Sequence, residues 1–201
     1  MEDSERQRLE DLVLAPYIQK ATALIGLARR VGGNQFRHAM ATFAILLDYH
    51  YTDPVLLKAS VLHDLFEDFQ NANPLEIADI DEDGPAVVRL VNEVSRRAES
   101  RSEYLTRLRD HGTRNAKILK VADRISNLTD LSCDVYPAAK VADHLDETEK
   151  YVLPMAEEVN VEMAREMRDL MRRKRALLPP SPPAPETMVE PPRSPDPPSG
   201  G

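Results

Sequence analysis

The sequence predicts an all-α fold. Three observations carry that expectation: glycine is scarce, the chain falls into runs with helical periodicity, and the breaks between runs have helix-start chemistry. Only seven of the 201 residues are glycine, and Gly200 and Gly201 end the chain, so the tight turns of a sheet-rich protein are in short supply. With 42% hydrophobic and 30% charged residues, there is enough apolar material for one globular core. Apolar-periodic runs fall at roughly 17–31, 38–50, 54–68, 85–98, 102–110, 114–131, 138–153 and 160–178. Asp53-Pro54, Asn73-Pro74, Asp83-Gly84-Pro85 and Gly112-Thr113 punctuate them, each setting a capping side chain or a proline where a helix should begin. The last run is charged on one face and carries Met163, Met167, Leu170 and Met171 on the other, an ordinary core-packing stripe. The expectation is one domain over residues 1–178, a bundle of about eight to ten helices without internal repeats.

From Pro179 onward the composition changes. Residues 179–201 hold most of the chain's 16 prolines, mixed with Ser, Glu and Gly, and cannot bury an apolar face; a disordered, partly polyproline-II tail is expected there. A single cysteine, Cys133, excludes a disulfide framework and suits a reducing compartment. The N-terminus is acidic and polar, unlike a signal peptide, and no apolar run approaches the roughly 20 residues needed to span a bilayer. A cytoplasmic protein with no membrane partner is expected. The net charge of −8 disfavours nucleic acid as a partner. A small polyanionic substrate would need local compensation from a metal or from clustered Arg and Lys. Nothing in the sequence indicates an oligomeric state.

Chemistry concentrates in the segment from Val55 to Asp68. Its first half is almost wholly apolar, so the helix should be buried nearly all round, yet His63, Asp64, Glu67 and Asp68 arrive within two turns. On a continuous helix Asp64 shares a face with Glu67 and Asp68, three and four residues away. Three neighbouring buried carboxylates are costly unless a cation neutralises them. His38 opens another mostly apolar helix, and Asp123 interrupts the apolar run around Ile118–Ile125. His38, His63, Asp64 and Asp123 would form a mixed N/O metal site with room for water, suited to Mn²⁺, Fe²⁺, Zn²⁺ or Mg²⁺. Open positions on such a metal are what hydrolytic chemistry requires. Glu67 and Asp68 close their helix against its dipole, a placement that points to use rather than stability.

The order His…His-Asp…Asp resembles the signature of the HD superfamily of phosphohydrolases, and the flanking residues narrow the likeness. His63-Asp64-Leu-Phe-Glu67-Asp68 resembles the HD-x-x-ED motif of the hydrolase domain of RelA/SpoT homologues. Leu119-Lys-Val-Ala-Asp123-Arg124-Ile-Ser-Asn127-Leu128 resembles that family's KLADR-x-x-N motif, and Arg29-Arg30-Val-Gly32 its R-K-x-G segment. Glu147-Thr148-Glu-Lys-Tyr151-Val-Leu-Pro154-Met-Ala156 is similar to its ET-x-x-x-Y-x-P-L-A helix. The similarity covers roughly residues 17–178 and is closest to the single-domain branch, the small alarmone hydrolases.

The resemblance implies an HD-domain helical bundle that removes the 3′-pyrophosphate of a guanosine alarmone, (p)ppGpp, using one Mn²⁺ held by His38, His63, Asp64 and Asp123. It implies that Glu67 and Asp68 position or activate the attacking water. Arg29, Arg30 and Asn127 would contact the nucleotide, Arg29 packing on the base, as a guanidinium can. Arg124 would brace a carboxylate, and Lys117 and Lys120 would add positive potential at the mouth. Three positions depart from the family: Gln35 where an aromatic is common, Phe69 where Thr is common, and Asp130 where many members have Thr near the base. Two other functions fit the same residues: an HD phosphohydrolase of another nucleotide, adenosine alarmones included, and a non-hydrolysing alarmone-binding or antitoxin-like protein.

Overall fold

The structure, a computed structural model, describes residues 2–179. The tail expected over 179–201 lies, Pro179 apart, outside the described residues. Those described are all-helical: α1 (Asp3–Glu10), α2 (Ala15–Ala21), α3 (Gln35–Asp48), α4 (Pro54–Ser60), α5 (Leu65–Asp68), α6 (Pro74–Ala78), α7 (Gly84–Val94), α8 (Arg101–His111), α9 (Arg114–Asp130), α10 (Ala138–Glu147), α11 (Leu153–Val159) and α12 (Val161–Ala176). The only extended pairing among them is an isolated antiparallel bridge between Ala28 and Asn34.

Helix starts follow the capping chemistry. The Asp53 carboxylate accepts the Leu56 amide at 2.7 Å and Pro54 follows it; Asn73 caps α6 and Thr113 caps α9. Each such cap contributes about 1 kcal/mol. α9 is the spine, with Ala116–Leu119, Val121–Ser126 and Leu128 buried, and it packs against α3, α7, α11 and α12. The expected methionine stripe is core: Met163, Met167 and Met171 of α12 are buried.

Three expected runs come out differently. The run at 17–31 leaves the α-helix after Ala21, passes through a 3₁₀ turn over Thr22–Gly26, and then doubles back. Gly32 and Gly33 adopt φ of 90° and 72°, which lets the Arg29 amide reach the Gly33 carbonyl and the Gln35 amide the Leu27 carbonyl. Arg29 and Arg30 therefore sit on a stapled turn, not on a helix.

The run at 54–68 is not continuous either. Ser60 Oγ donates to the Leu57 carbonyl at 2.7 Å, and His63 Nδ1 donates to the Ser60 carbonyl at 2.7 Å. Those are the carbonyls that a continuous helix would give to the amides of Val61 and Asp64, so α4 stops at Ser60 and α5 restarts at Leu65. The run at 138–153 extends through a π turn over Thr148–Val152 into α11, because Pro154 has no N–H to continue the normal register. α1 buries nothing and α6 is five residues long, so neither produces a periodic signal.

Candidate metal centre

The break between α4 and α5 aims His63 and Asp64 at the N-terminal turn of α3, which carries His38, and at the middle of α9, which carries Asp123. His63 Nε2 and His38 Nε2 are 3.3 Å apart. Asp64 Oδ2 lies 3.3 Å from His63 Nε2 and 3.6 Å from His38 Nε2; Asp123 Oδ1 lies 3.1 Å from His38 Nε2 and 3.8 Å from His63 Nε2. His38, His63 and Asp64 each offer a ligand atom within 4.8 Å of the others. Both histidines and Asp123 are buried, while Asp64 keeps a quarter of its side chain open to the cleft.

The outer ring nitrogens set the donor character of the centre. His63 Nδ1 faces a carbonyl and must carry the proton there, so in the neutral ring Nε2 is a bare lone pair. His38 Nδ1 is held by Ser126 Oγ at 2.9 Å, which directs its Nε2 inward too. Two inward imidazole nitrogens and the carboxylate of Asp64 converge beside Asp123, whose oxygens also take Lys120 and Asn127, and this mixed N/O set is one that a cation can satisfy. Electrostatics agree: burial alone would push the His63 imidazole down, but the charges of Asp64 and Asp123 outweigh it and push it up to about 9. Burial likewise works against the Asp123 carboxylate, yet Lys120 and His38 hold it well below the usual range. The donor set fits a divalent metal of borderline softness.

The centre is the floor of a cleft of about 670 Å³. Glu67 and Asp68 project into it from α5. Burial, with Asp64 close by, pushes both carboxyls upward. The Arg96 amide donates to Glu67 at 2.7 Å, and Gln35 Nε2 donates to Asp68 Oδ2 at 2.5 Å. A polar chain runs from the floor to one wall. Asn127 Nδ2 donates to Asp123 Oδ1 at 2.5 Å, and Arg29 donates to Asn127 Oδ1 at 2.7 Å and to Asp130 Oδ2 at 2.9 Å. Arg29 is thereby clamped between two acceptors. Arg30 is exposed at the rim, 5.7 Å over the Tyr136 ring.

The nine residues assigned from the sequence to metal, catalysis or nucleotide contact (His38, His63, Asp64, Asp123, Glu67, Asp68, Arg29, Arg30 and Asn127) all line this one cleft. Lys120 also lines it and pairs with Asp123 at 2.7 Å, whereas Lys117 is absent from the lining and pairs with Glu158. Arg124 is fully buried and braces Glu147 at 2.8 Å and Thr148 at 2.8 Å. Sequence reasoning missed Arg96, Arg101, Tyr104, Lys140 and His144, which complete the walls. They come from segments with no local signature, and only their convergence makes them notable. Burial and the nearby Arg124 and Arg101 hold the His144 imidazole down to about 3, so it stays neutral. Arginines and Lys140 on the walls share them with Asp130, Asp143 and Glu147, and the floor carries Asp64 and Asp123.

No family model matches the chain, and no curated protein sequence does. Among solved structures, the chain is similar to a metazoan ortholog of SpoT. That protein is described as hydrolysing ppGpp and as playing a role in starvation responses. The likeness has a TM-score of 0.68 at 21% identity and covers 80% of this chain and 94% of that one. The chain thus shares the all-α fold of that protein. Among the described residues no helix is long and apolar enough to cross a membrane.

Proposed function

We propose that the chain is a metal-dependent hydrolase that removes the 3′-pyrophosphate from guanosine alarmones of the (p)ppGpp type. The observation that carries this reading is the convergence of His38, His63, Asp64 and Asp123 at the floor of a cleft whose rim holds two carboxylates and whose walls hold arginines. The ppGpp-hydrolysing protein of the same fold supports it. His38, His63, Asp64 and Asp123 would hold one Mn²⁺. When bound, the ion supplies Lewis-acid charge for a phosphoryl oxygen and acidity for water.

The chain's own residues do the rest. Arg29, fixed by Asn127 and Asp130, offers a flat cationic face to the purine, and Arg30 offers charge to the phosphates. Glu67 and Asp68 orient the attacking water and take its proton, work suited to carboxyls that burial has pushed upward. The water oxygen bonds to the phosphorus attached to O3′ and the P–O3′ bond breaks. O3′ takes up a proton, and GDP or GTP leaves with pyrophosphate. Asp130, which holds Arg29, bears on which base is accepted.

The deciding experiment incubates Mn²⁺-loaded protein with guanosine and adenosine 3′-pyrophosphates and measures pyrophosphate release. Release from the guanosine compounds is expected. Release only from the adenosine series would reassign the substrate, and binding without release under any divalent metal would replace the hydrolase by an alarmone-binding protein.

A further inference from the structure

Gln35 is the first residue of α3, one turn before His38, and its side chain reaches across the cleft to α5. Its amide can face Asp68 in only one sense. Nε2 donates to Asp68 Oδ2 at 2.5 Å; the reversed amide would set two acceptors against each other. That orientation leaves Oε1 buried and without a partner, the one such side-chain atom among the described residues. A buried carbonyl without a donor costs free energy that a leucine of similar size would avoid. That cost is offset at the other end of the amide, where Nε2 holds Asp68. Asp68, for its part, has Gln35 as its only side-chain partner among the described residues, so Oδ1 stays free while Oδ2 is held.

Resting on the hydrolase reading above, we propose that Gln35 is the positioning residue for Asp68. Its Nε2 fixes Oδ2, and Oδ1 is left to take the proton of the attacking water before the water oxygen bonds to phosphorus.

Two substitutions separate this role from packing. Gln35→Leu removes donor and acceptor at similar size. Gln35→Glu keeps length and acceptor but loses the N–H and sets a second anion against Asp68. Both should lower kcat by about tenfold or more with KM changed less than about twofold, because a misplaced base acts after substrate is bound. Melting temperature and metal content should stay near wild type. The near-isosteric Glu variant should be no better than Leu; a Glu variant with wild-type kcat overturns the proposal. In an Asp68→Asn background Gln35→Leu should cost nothing further, and full additivity overturns the coupling. A readout without nucleotide or turnover is the Gln35 side-chain amide resonance, which should move on Asp68→Asn; an unmoved resonance overturns the contact itself. A wild type that hydrolyses none of the nucleotides sinks the hydrolase reading and this inference with it. An active wild type indifferent to Gln35 sinks the inference alone.

Discussion

Two buried polar clusters branch from the same short stretch of chain, and they are built on opposite logic. Lys58, on α4, sits between Asp81 at 2.8 Å and Asp83 at 2.7 Å, with the Tyr17 hydroxyl donating to the other Asp81 oxygen at 2.6 Å. Every donor there meets an acceptor, and the cluster ties α4 to α2 and to the α6–α7 loop. Five residues on, His63 enters the cleft floor, where two imidazole nitrogens and two carboxylates face one another and Lys120 is the one cation bound to them. A self-satisfied cluster is a clamp. The cleft floor, in an interior where an unpaired charge costs several kcal/mol, gathers instead the mixed imidazole and carboxylate donors of the proposed metal site.

The comparison breaks most sharply at the ligands. Asp64→Ala should abolish metal retention and lower pyrophosphate release by roughly a thousandfold, the equivalent of about 4 kcal/mol of transition-state stabilisation. Metal analysis and a coupled pyrophosphate assay on one preparation check both. A variant that keeps its metal and its rate refutes the four-residue assignment. In the unsubstituted protein, chelation should lower the melting temperature and Mn²⁺ should restore it, since the cation relieves Asp64 and Asp123.

One step out, Glu67→Gln and Asp68→Asn keep shape while removing charge. Hydrolysis should fall roughly a hundredfold with metal content and nucleotide affinity near normal, because neither is proposed as a ligand. Calorimetry that finds nucleotide binding lost would move them from proton transfer to binding. Arg29→Ala should raise KM about tenfold and change kcat less than about threefold, since a residue packed on the base interacts alike in ground and transition states. The opposite split would put Arg29 among the reacting groups.

The clamp should respond in stability and leave turnover alone. Lys58→Met strands Asp81 and Asp83, which are about a quarter exposed and able to rehydrate, so a cost of about 1 kcal/mol and a melting temperature lower by roughly 2–4 °C are expected. Burial pushes the Asp81 carboxyl up, but Lys58 and the Tyr17 hydroxyl outweigh it and hold it below its usual range. A depressed carboxyl stabilises the fold above its unfolded value, near pH 4, and loses that contribution as pH falls. The gap between wild type and Lys58→Met should therefore narrow from pH 7 to pH 3. A gap that widens in acid would mean that Lys58 acts through packing.

Periodicity and capping residues, legible one helix at a time, determined the fold class. The metal-site candidates were legible because an ionisable group in an apolar run, such as His63-Asp64 or Asp123, has no cheap structural excuse, whereas Arg29, Arg30 and Asn127 came only through the family resemblance. Three things were decided only in the folded molecule, because each depends on which of several competing partners a group finally takes. The α4–α5 break exists because His63 takes a carbonyl that the helix would otherwise use, and that break turns Asp64 toward His38 instead of stacking it over Glu67 and Asp68. Arg29 and Arg30 lie on a turn because Gly32 and Gly33 let the chain double back to α3. Arg101 and His144 join the cleft from two separate segments, and no local pattern marks a residue whose role is conferred by what stands opposite it.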